Sequence, residues 1–143
     1  MAPKKLVIRS VQNTDYWSAE RGISRPADDY DLYVVRIHGV WRPPTDVYEI
    51  DQHVVVKVEI AGIDEEDLSI SLVDRRLIVA GHRRDPADKL SYQNMEIRYG
   101  EFHTEVRIGW ALDASAIEAT YENGFLLVRL PRPKQHRVRV QTC

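Results

Sequence analysis

The stretch from Ile117 to Leu130, I-E-A-T-Y-E-N-G-F-L-L-V-R-L followed by Pro131, constrains the fold more than any other part of the chain. Asn123-Gly124 accepts positive φ at both central positions of a type I′ turn, so the apolar runs on either side predict a β-hairpin. Before the turn Ile117, Ala119 and Tyr121 alternate with Glu118, Thr120 and Glu122; after it Leu126, Val128 and Leu130 share one face. An apolar face of that kind needs a second sheet to cover it, which points to an antiparallel sandwich.

The same period recurs upstream. Val54, Val56, Val58 and Ile60 lie on one side of a half-buried strand, with Val55, Lys57 and Glu59 on the other. Ala61-Gly62-Ile63 ends it. Asp64-Glu65-Glu66-Asp67 predicts a helical turn with Asp64 as N-cap and its carboxylates near the positive end of the dipole. It lacks the glycine and the distant bidentate glutamate of a calcium loop, so it reads as a solvated bend and not as a metal site. Leu68, Ile70 and Leu72 alternate with serines, and Asp74-Arg75-Arg76 turns the chain into Leu77 to Gly81, a second hairpin. The charged run His82 to Leu90 is a loop. Phe102, Thr104, Val106 and Ile108 resume the alternation, and Trp110 to Ala116 loops into the opening hairpin.

Pro43 and Pro44 fix φ and remove two donors, which marks a boundary near Trp41. Ahead of it, Leu6 to Val11 predicts a short strand and Thr14 to Arg21 a helical turn stopped at Gly22. Tyr16, Trp17, Tyr30 and Tyr33 make this arm more aromatic than a solvated tail.

A chain of 143 residues suits one domain with its own core. The five histidines, His38, His53, His82, His103 and His136, have no zinc spacing, and neither G-x-S-x-G, a P-loop nor a dinucleotide fingerprint is present. Catalysis, metals and cofactors are therefore not expected. Arg129, Arg132, Lys134, Arg137 and Arg139 carry no interleaved aromatics, and a net charge of −2 gives the body no basic excess for nucleic acid. The one cysteine, Cys143, rules out an internal disulfide and fits a reducing compartment, although a terminal thiol is able to cross-link subunits on oxidation. Met1-Ala-Pro-Lys-Lys-Leu-Val-Ile lacks a signal peptide's apolar region, and no stretch is long enough for a membrane span, so a cytoplasmic protein is expected.

Several motifs, in order and at matching spacing over roughly residues 41 to 140, resemble the small heat shock protein (Hsp20, α-crystallin) family. Ala119-Thr-Tyr-Glu-Asn123-Gly124-Phe125-Leu126, running to Leu130-Pro131-Arg132, is similar to the signature A-x-x-x-N-G-V-L ending in proline and a basic residue. Trp41-Arg-Pro43 with Asp46-Val47-Tyr48-Glu49 resembles the domain opening. Val54 to Gly81 resembles the order strand, P-G turn, strand, L-x-(h)-x-G, with Ala61 where proline is common. Tyr92-Gln-Asn-Met95-Glu96-Ile97-Arg-Tyr99-Gly100-Glu-Phe102 resembles Y-x-x-x-E-x-x-Y-G-x-F. Thr104 departs from a usual arginine and Gly109 from a usual proline, which puts any interface ion pair of that arginine in doubt.

The resemblance implies an immunoglobulin-like antiparallel β-sandwich of seven or eight strands (the α-crystallin domain) over 41–131, a variable N-terminal arm over 1–40 and a tail over 132–143. It implies a homodimer made by exchanging a strand that holds Tyr92, Met95, Glu96, Ile97 and Tyr99, although a hairpin excursion within one subunit fits the same pattern. It also implies higher oligomers in which a V-x-V tail, Val138 and Val140, enters a neighbour's groove between strands holding Leu68, Ile70 and Leu72 on one side and Thr120 on the other. The implied activity is an ATP-independent holding chaperone that binds unfolding clients and passes them to ATP-dependent refolding chaperones. Tyr16, Trp17, Tyr30 and Tyr33 are then client contacts, with an extra strand packed on the domain as the plainer reading of the arm. A p23-like co-chaperone shares the sandwich but lacks the long loop and the V-x-V tail.

Overall fold

The Asn123-Gly124 turn is where the sequence places it, with φ of 52° and 81° at the two central positions. A computed structural model describes residues 4–6, 9–10, 39–133 and 139–142. Its strands are β1 Lys4–Lys5, β2 Arg9–Ser10, β3 Thr45–Ile50, β4 His53–Glu59, β5 Leu68–Val73, β6 Arg76–Arg83, β7 Gly100–Arg107, β8 Glu118–Glu122 and β9 Phe125–Pro131. They form two sheets in the orders β1-β8-β9-β4-β3 and β2-β5-β6-β7. Every ladder is antiparallel except β2 on β5. The expected all-β sandwich is the observed architecture.

The alternating residues fill the space between the sheets. Val54, Val56, Val58 and Ile60 from one layer meet Ile70, Leu72, Leu77, Val79 and Phe102 from the other, with Ala119, Leu126, Val128 and Leu130 completing the core. Burying one such side chain contributes about 1.5 to 3 kcal/mol, so the pattern on β4, β5, β6 and β9 outweighs local propensity in fixing the register. The β8–β9 turn is clamped onto the end of β4: the Ile60 N–H donates to the Gly124 carbonyl at 2.8 Å, and the Tyr121 hydroxyl donates to the Ile60 carbonyl at 2.7 Å.

Three expectations need correction. Thr45–Ile50 is a full strand paired along β4, where the pattern predicts only a domain opening; it is an edge strand whose residues are mostly exposed, so it carries no clean apolar period. Val55 is buried although it stands on the polar side of β4, in register between Tyr48 and Arg129. Residues 65–67 form a single 3-10 turn with Asp64 at the N-cap position, but its side chain makes no capping bond. One turn has little dipole for a carboxylate to answer, and the Asp67 carboxylate instead forms a fork with Arg84, at 2.7 and 2.8 Å.

Candidate assembly site

The two sides of the sandwich differ, and the expected site residues divide between them. On one side the edges are β8 and β5. Ile70 and Leu72 are buried in the core, while Leu68 and Thr120 are half-buried at its rim. These edges are not bare: Lys4 and Lys5 pair with Tyr121 and Thr120, and Arg9 and Ser10 pair with Ser71 and Leu72. Between them Leu6 packs partly buried against the core, and its N–H donates to the Ala119 carbonyl at 2.9 Å.

On the other side the edges are β3 and β7. Thr104, in the position of the family's usual arginine, is buried in the sandwich, and its hydroxyl lies 2.8 Å from that of Thr45. The Thr45 hydroxyl also donates to the Pro43 carbonyl at 2.9 Å, so Thr104 serves as donor of the shared bond. This neutral bridge ties the two sheets together where an arginine would demand a counter-charge. Trp41 adds a parallel bridge to β7: its N–H donates to the Glu101 carbonyl and its carbonyl accepts from His103, both at 3.0 Å. The Trp41 and Phe102 rings meet at 5.6 Å. Further along, Val47, Val54, Val106, Ile108, Trp110 and Leu130 line a shallow apolar cleft. Val47 and Ile50 are each about half exposed, and among the described residues nothing pairs with the outer edge of β3.

Between β6 and β7 residues 84–99 leave the sheet without regular structure. Tyr92, Met95 and Ile97 are exposed at 45%, 59% and 62%, and Leu90 is fully exposed, a concentration of exposed large apolar side chains on one loop. Glu96 is exposed beside them and Tyr99 is half-buried at the loop's end. The segment forms no strand in the single chain.

Arg83, at the loop's root, holds its two ends together. Its guanidinium lies 4.4 Å from the Trp41 ring and 5.7 Å from that of Tyr99, donates from Nε to the Arg98 carbonyl at 2.7 Å and from Nη1 to the Ala61 carbonyl at 3.2 Å. The sequence offered no sign of this, since Arg83 is one of three adjacent basic residues. Inside the loop the Asp85 carboxylate accepts from Lys89 and, at 2.8 Å, from the Tyr92 hydroxyl. Those bonds, from Lys89 first and then Tyr92, hold the Asp85 pKa below the usual carboxylate value.

At the tail root Trp110 Nε1 donates to the Pro131 carbonyl at 3.0 Å, the Arg132 N–H donates to the Gln52 carbonyl at 2.9 Å, and the Arg132 guanidinium pairs with Glu49. Val140 is 83% exposed; Val138 lies outside the described residues, as do Tyr16, Trp17, Tyr30 and Tyr33. Of the hairpin signature, Ala119 and Leu126 are buried, Asn123 and Gly124 make the turn, and Pro131 ends β9.

On the outer face of β7 the Glu105 carboxylate accepts from Arg76 at 3.0 Å and lies 3.4 Å from His103 Nε2. Burial works to raise its pKa, but the His103 hydrogen bond and the Arg76 charge outweigh burial and hold it below the usual value. A carboxyl depressed on folding adds stability above its unfolded pKa, about 4.3, and that contribution disappears as the pH falls through the lower folded value. Glu105→Gln should therefore destabilise the chain by about 1 kcal/mol at neutral pH in urea unfolding, and the gap should close in strong acid. An equal gap at both pH values would reject an ionised Glu105 as its source.

Among the described residues no three His, Cys, Asp or Glu side chains gather to hold a metal ion, and no helix is long and apolar enough to cross a membrane.

Comparison with known proteins agrees with this geometry. The Hsp20/alpha crystallin family model matches residues 46–142. Small heat shock protein C2 of Rickettsia felis is 28% identical over 99 residues, a match covering 68% of this chain and 64% of that protein. Heat shock protein 16 of Schizosaccharomyces pombe is 30% identical over 110 residues, covering 74% of this chain and 77% of that one. Among solved structures, HSP18.5 from E. histolytica superposes with a TM-score of 0.59 at 30% identity, covering 72% of this chain and all of that one. A matching family model that runs from β3 into the tail, on a sandwich with a long loop between its sixth and seventh strands, places the chain in the Hsp20/alpha crystallin family.

Proposed function

We propose that this small heat shock protein is an ATP-independent holdase, non-catalytic and cytoplasmic, which binds partly unfolded clients and passes them to ATP-dependent refolding chaperones. The observation that carries the reading is the solvent-exposed apolar set Tyr92, Met95 and Ile97 on the loop between β6 and β7, together with a β3 outer edge that no described residue pairs. A segment that forms no strand in its own chain and an edge that no described residue pairs are complementary: exchange between two copies would satisfy both. On this reading 41–131 is the dimerising domain, 1–40 an arm whose Tyr16, Trp17, Tyr30 and Tyr33 meet clients, and 132–143 an assembly tail. The long loop with its exposed Tyr92, Met95 and Ile97 favours this over a p23-like co-chaperone. Neither nucleic acid nor membrane lipid is needed as a partner.

The test is direct. A near-equimolar amount of the chain should suppress the turbidity of a heat-unfolding protein in the absence of ATP. Unchanged turbidity at every temperature would remove the holdase reading.

The tail acts by number. Val138 and Val140, on one face of an extended segment, each bring about 1.5 to 2 kcal/mol if buried, less the entropy of ordering the tail. One such contact is weak, so large assemblies would rest on many tails at once. Val138→Ser with Val140→Ser should reduce the large species to dimers in light scattering coupled to size exclusion, with the fold intact. An unchanged elution size would separate the tail from assembly.

A further inference from the structure

Between the body of the domain and the 84–99 loop, aromatic and cationic side chains alternate. The Trp41 ring, Arg83, the Tyr99 ring, Lys89 and the Tyr92 ring follow one another, the Arg83 guanidinium 4.4 and 5.7 Å from its two rings and Lys89 Nζ 5.5 Å from each of its own. The body end is fixed: Trp41 packs on the buried Phe102, and its Nε1 donates to the Gly100 carbonyl at 3.3 Å. The loop end is tied by Asp85, whose carboxylate accepts from Lys89 and, at 2.8 Å, from the Tyr92 hydroxyl. One ammonium therefore gathers Tyr92 and Tyr99, whose ring centres lie at most about 11 Å apart, twice the 5.5 Å that separates each from Nζ. A straight strand cannot do this. Seven residue steps span roughly 23 Å, and a tyrosine ring centre reaches only about 4 Å from its own Cα, so the two rings would stay roughly 15 Å apart or more. An odd spacing also sends the two side chains to opposite faces. In the single chain the segment is accordingly bent, at Gln93, Asn94 and Ile97.

We propose that Asp85, Lys89, Tyr92 and Tyr99 form a clasp that keeps the loop folded back on its own chain, and that this clasp must open before the segment can extend as the exchanged strand. The proposal rests on the strand-exchange reading above and adds the contact that opposes it. Opening is within reach, because ion pairs and cation–π contacts at solvent-exposed sites are individually weak. Tyr99 is held on the body side by Arg83, which also donates to the Arg98 and Ala61 carbonyls, so opening swings the Tyr92 end away. Both copies in an exchanged dimer are unclasped, and the open fraction of each chain enters the dissociation constant. A clasp closed half of the time therefore raises that constant about fourfold.

Asp85→Ala and Lys89→Met each remove the centre of the clasp and leave Tyr92, Met95, Ile97 and Tyr99 in place. In a full-length chain that also carries Val138→Ser and Val140→Ser, so that monomer and dimer are what is weighed, each should lower the dissociation constant by about fourfold or more in sedimentation at several concentrations. The two substitutions change the net charge in opposite directions, so a fall shared by both cannot come from charge alone. Asp88→Ala is the control: it is exposed in the same loop, lies outside the clasp and loses the same charge as Asp85→Ala, and it should leave the constant within about twofold of the parent. A constant unchanged or raised in both Asp85→Ala and Lys89→Met overturns the clasp while leaving exchange in place. An equal fall in Asp88→Ala also overturns it, since loosening the loop anywhere would then suffice. A dimer that persists when Asp85–Arg98 is excised rejects strand exchange itself, and the clasp with it.

Discussion

Replacing Gly81 by alanine should cost about 3 kcal/mol or more, the largest loss expected from adding a single methyl group to this chain. A Cβ at Gly81 would stand 2.0 Å from the Asp67 carbonyl oxygen and 2.6 Å from Cζ of Phe102. The first of these is backbone at the end of the 3-10 turn, one residue before Leu68, which pairs with Gly81 in the β5–β6 ladder, and the second belongs to a residue with 1% exposure. Neither is the loose end of a side chain, so relief requires moving the turn or the core. Gly109 is the control. Nothing lies within 4 Å of its would-be Cβ, and Gly109→Ala should stay within about 0.5 kcal/mol of the parent. Urea unfolding at fixed protein concentration checks both; for Gly81→Ala a midpoint shift of about 1 M or more is expected from the usual slopes. Parity between the two variants would show that the strand-to-turn contact is looser than described.

Excising Asp85–Arg98 should give a folded monomer. The β6–β7 ladder runs to Arg83 opposite Gly100, so the excision leaves Arg84 and Tyr99 as a two-residue connection between strand ends that are already adjacent. Shortening the loop relieves closure entropy and removes little that holds the sandwich, chiefly the Arg83 bond to Arg98 and the Asp85 cluster. What disappears is the segment proposed to exchange, and on that proposal the dissociation constant should rise on the order of a thousandfold, equivalent to about 4 kcal/mol. Sedimentation at several concentrations with far-UV circular dichroism measures both quantities. A dimer that survives the excision would place the interface elsewhere.

How far the sequence could be read depended on whether a residue's environment was periodic. Val54 to Ile60, Leu68 to Leu72 and Leu126 to Leu130 alternate because each strand has a core face and a second face, and those strands and both hairpin turns were readable. Thr45–Ile50 was not, because an edge strand with Val47 and Ile50 half exposed has no face to mark. Gly81 could be matched to a motif without its reason, since its neighbours Asp67 and Phe102 are distant in sequence. Thr104 could be read as a departure from the family, but its partner Thr45 lies 59 residues away and no local pattern joins them. Arg83 is the extreme case. Its partners Trp41, Ala61, Arg98 and Tyr99 come together only after both sheets are built. Of the strand expected at Leu6 to Val11, Val7, Ile8 and Val11 lie outside the described residues; Arg9–Ser10 pair with β5 and Lys4–Lys5, just ahead of it, with β8, which is a property of the edges they meet.

The hydroxyl bridge between Thr45 and Thr104 has a consequence for the conditions under which the β3 side keeps its shape. Two threonines carry no formal charge, so dissolved ions do not weaken their contact and it has no midpoint in acid or base. The carboxylate on the outer face of β7 behaves oppositely, being paired with Arg76 and sensitive to both. Osmotic stress changes the ionic strength around a protein, and acid stress changes the pH. The Thr45–Thr104 tie between β3 and β7 is indifferent to either change, so this link between the two sheets persists when the medium changes.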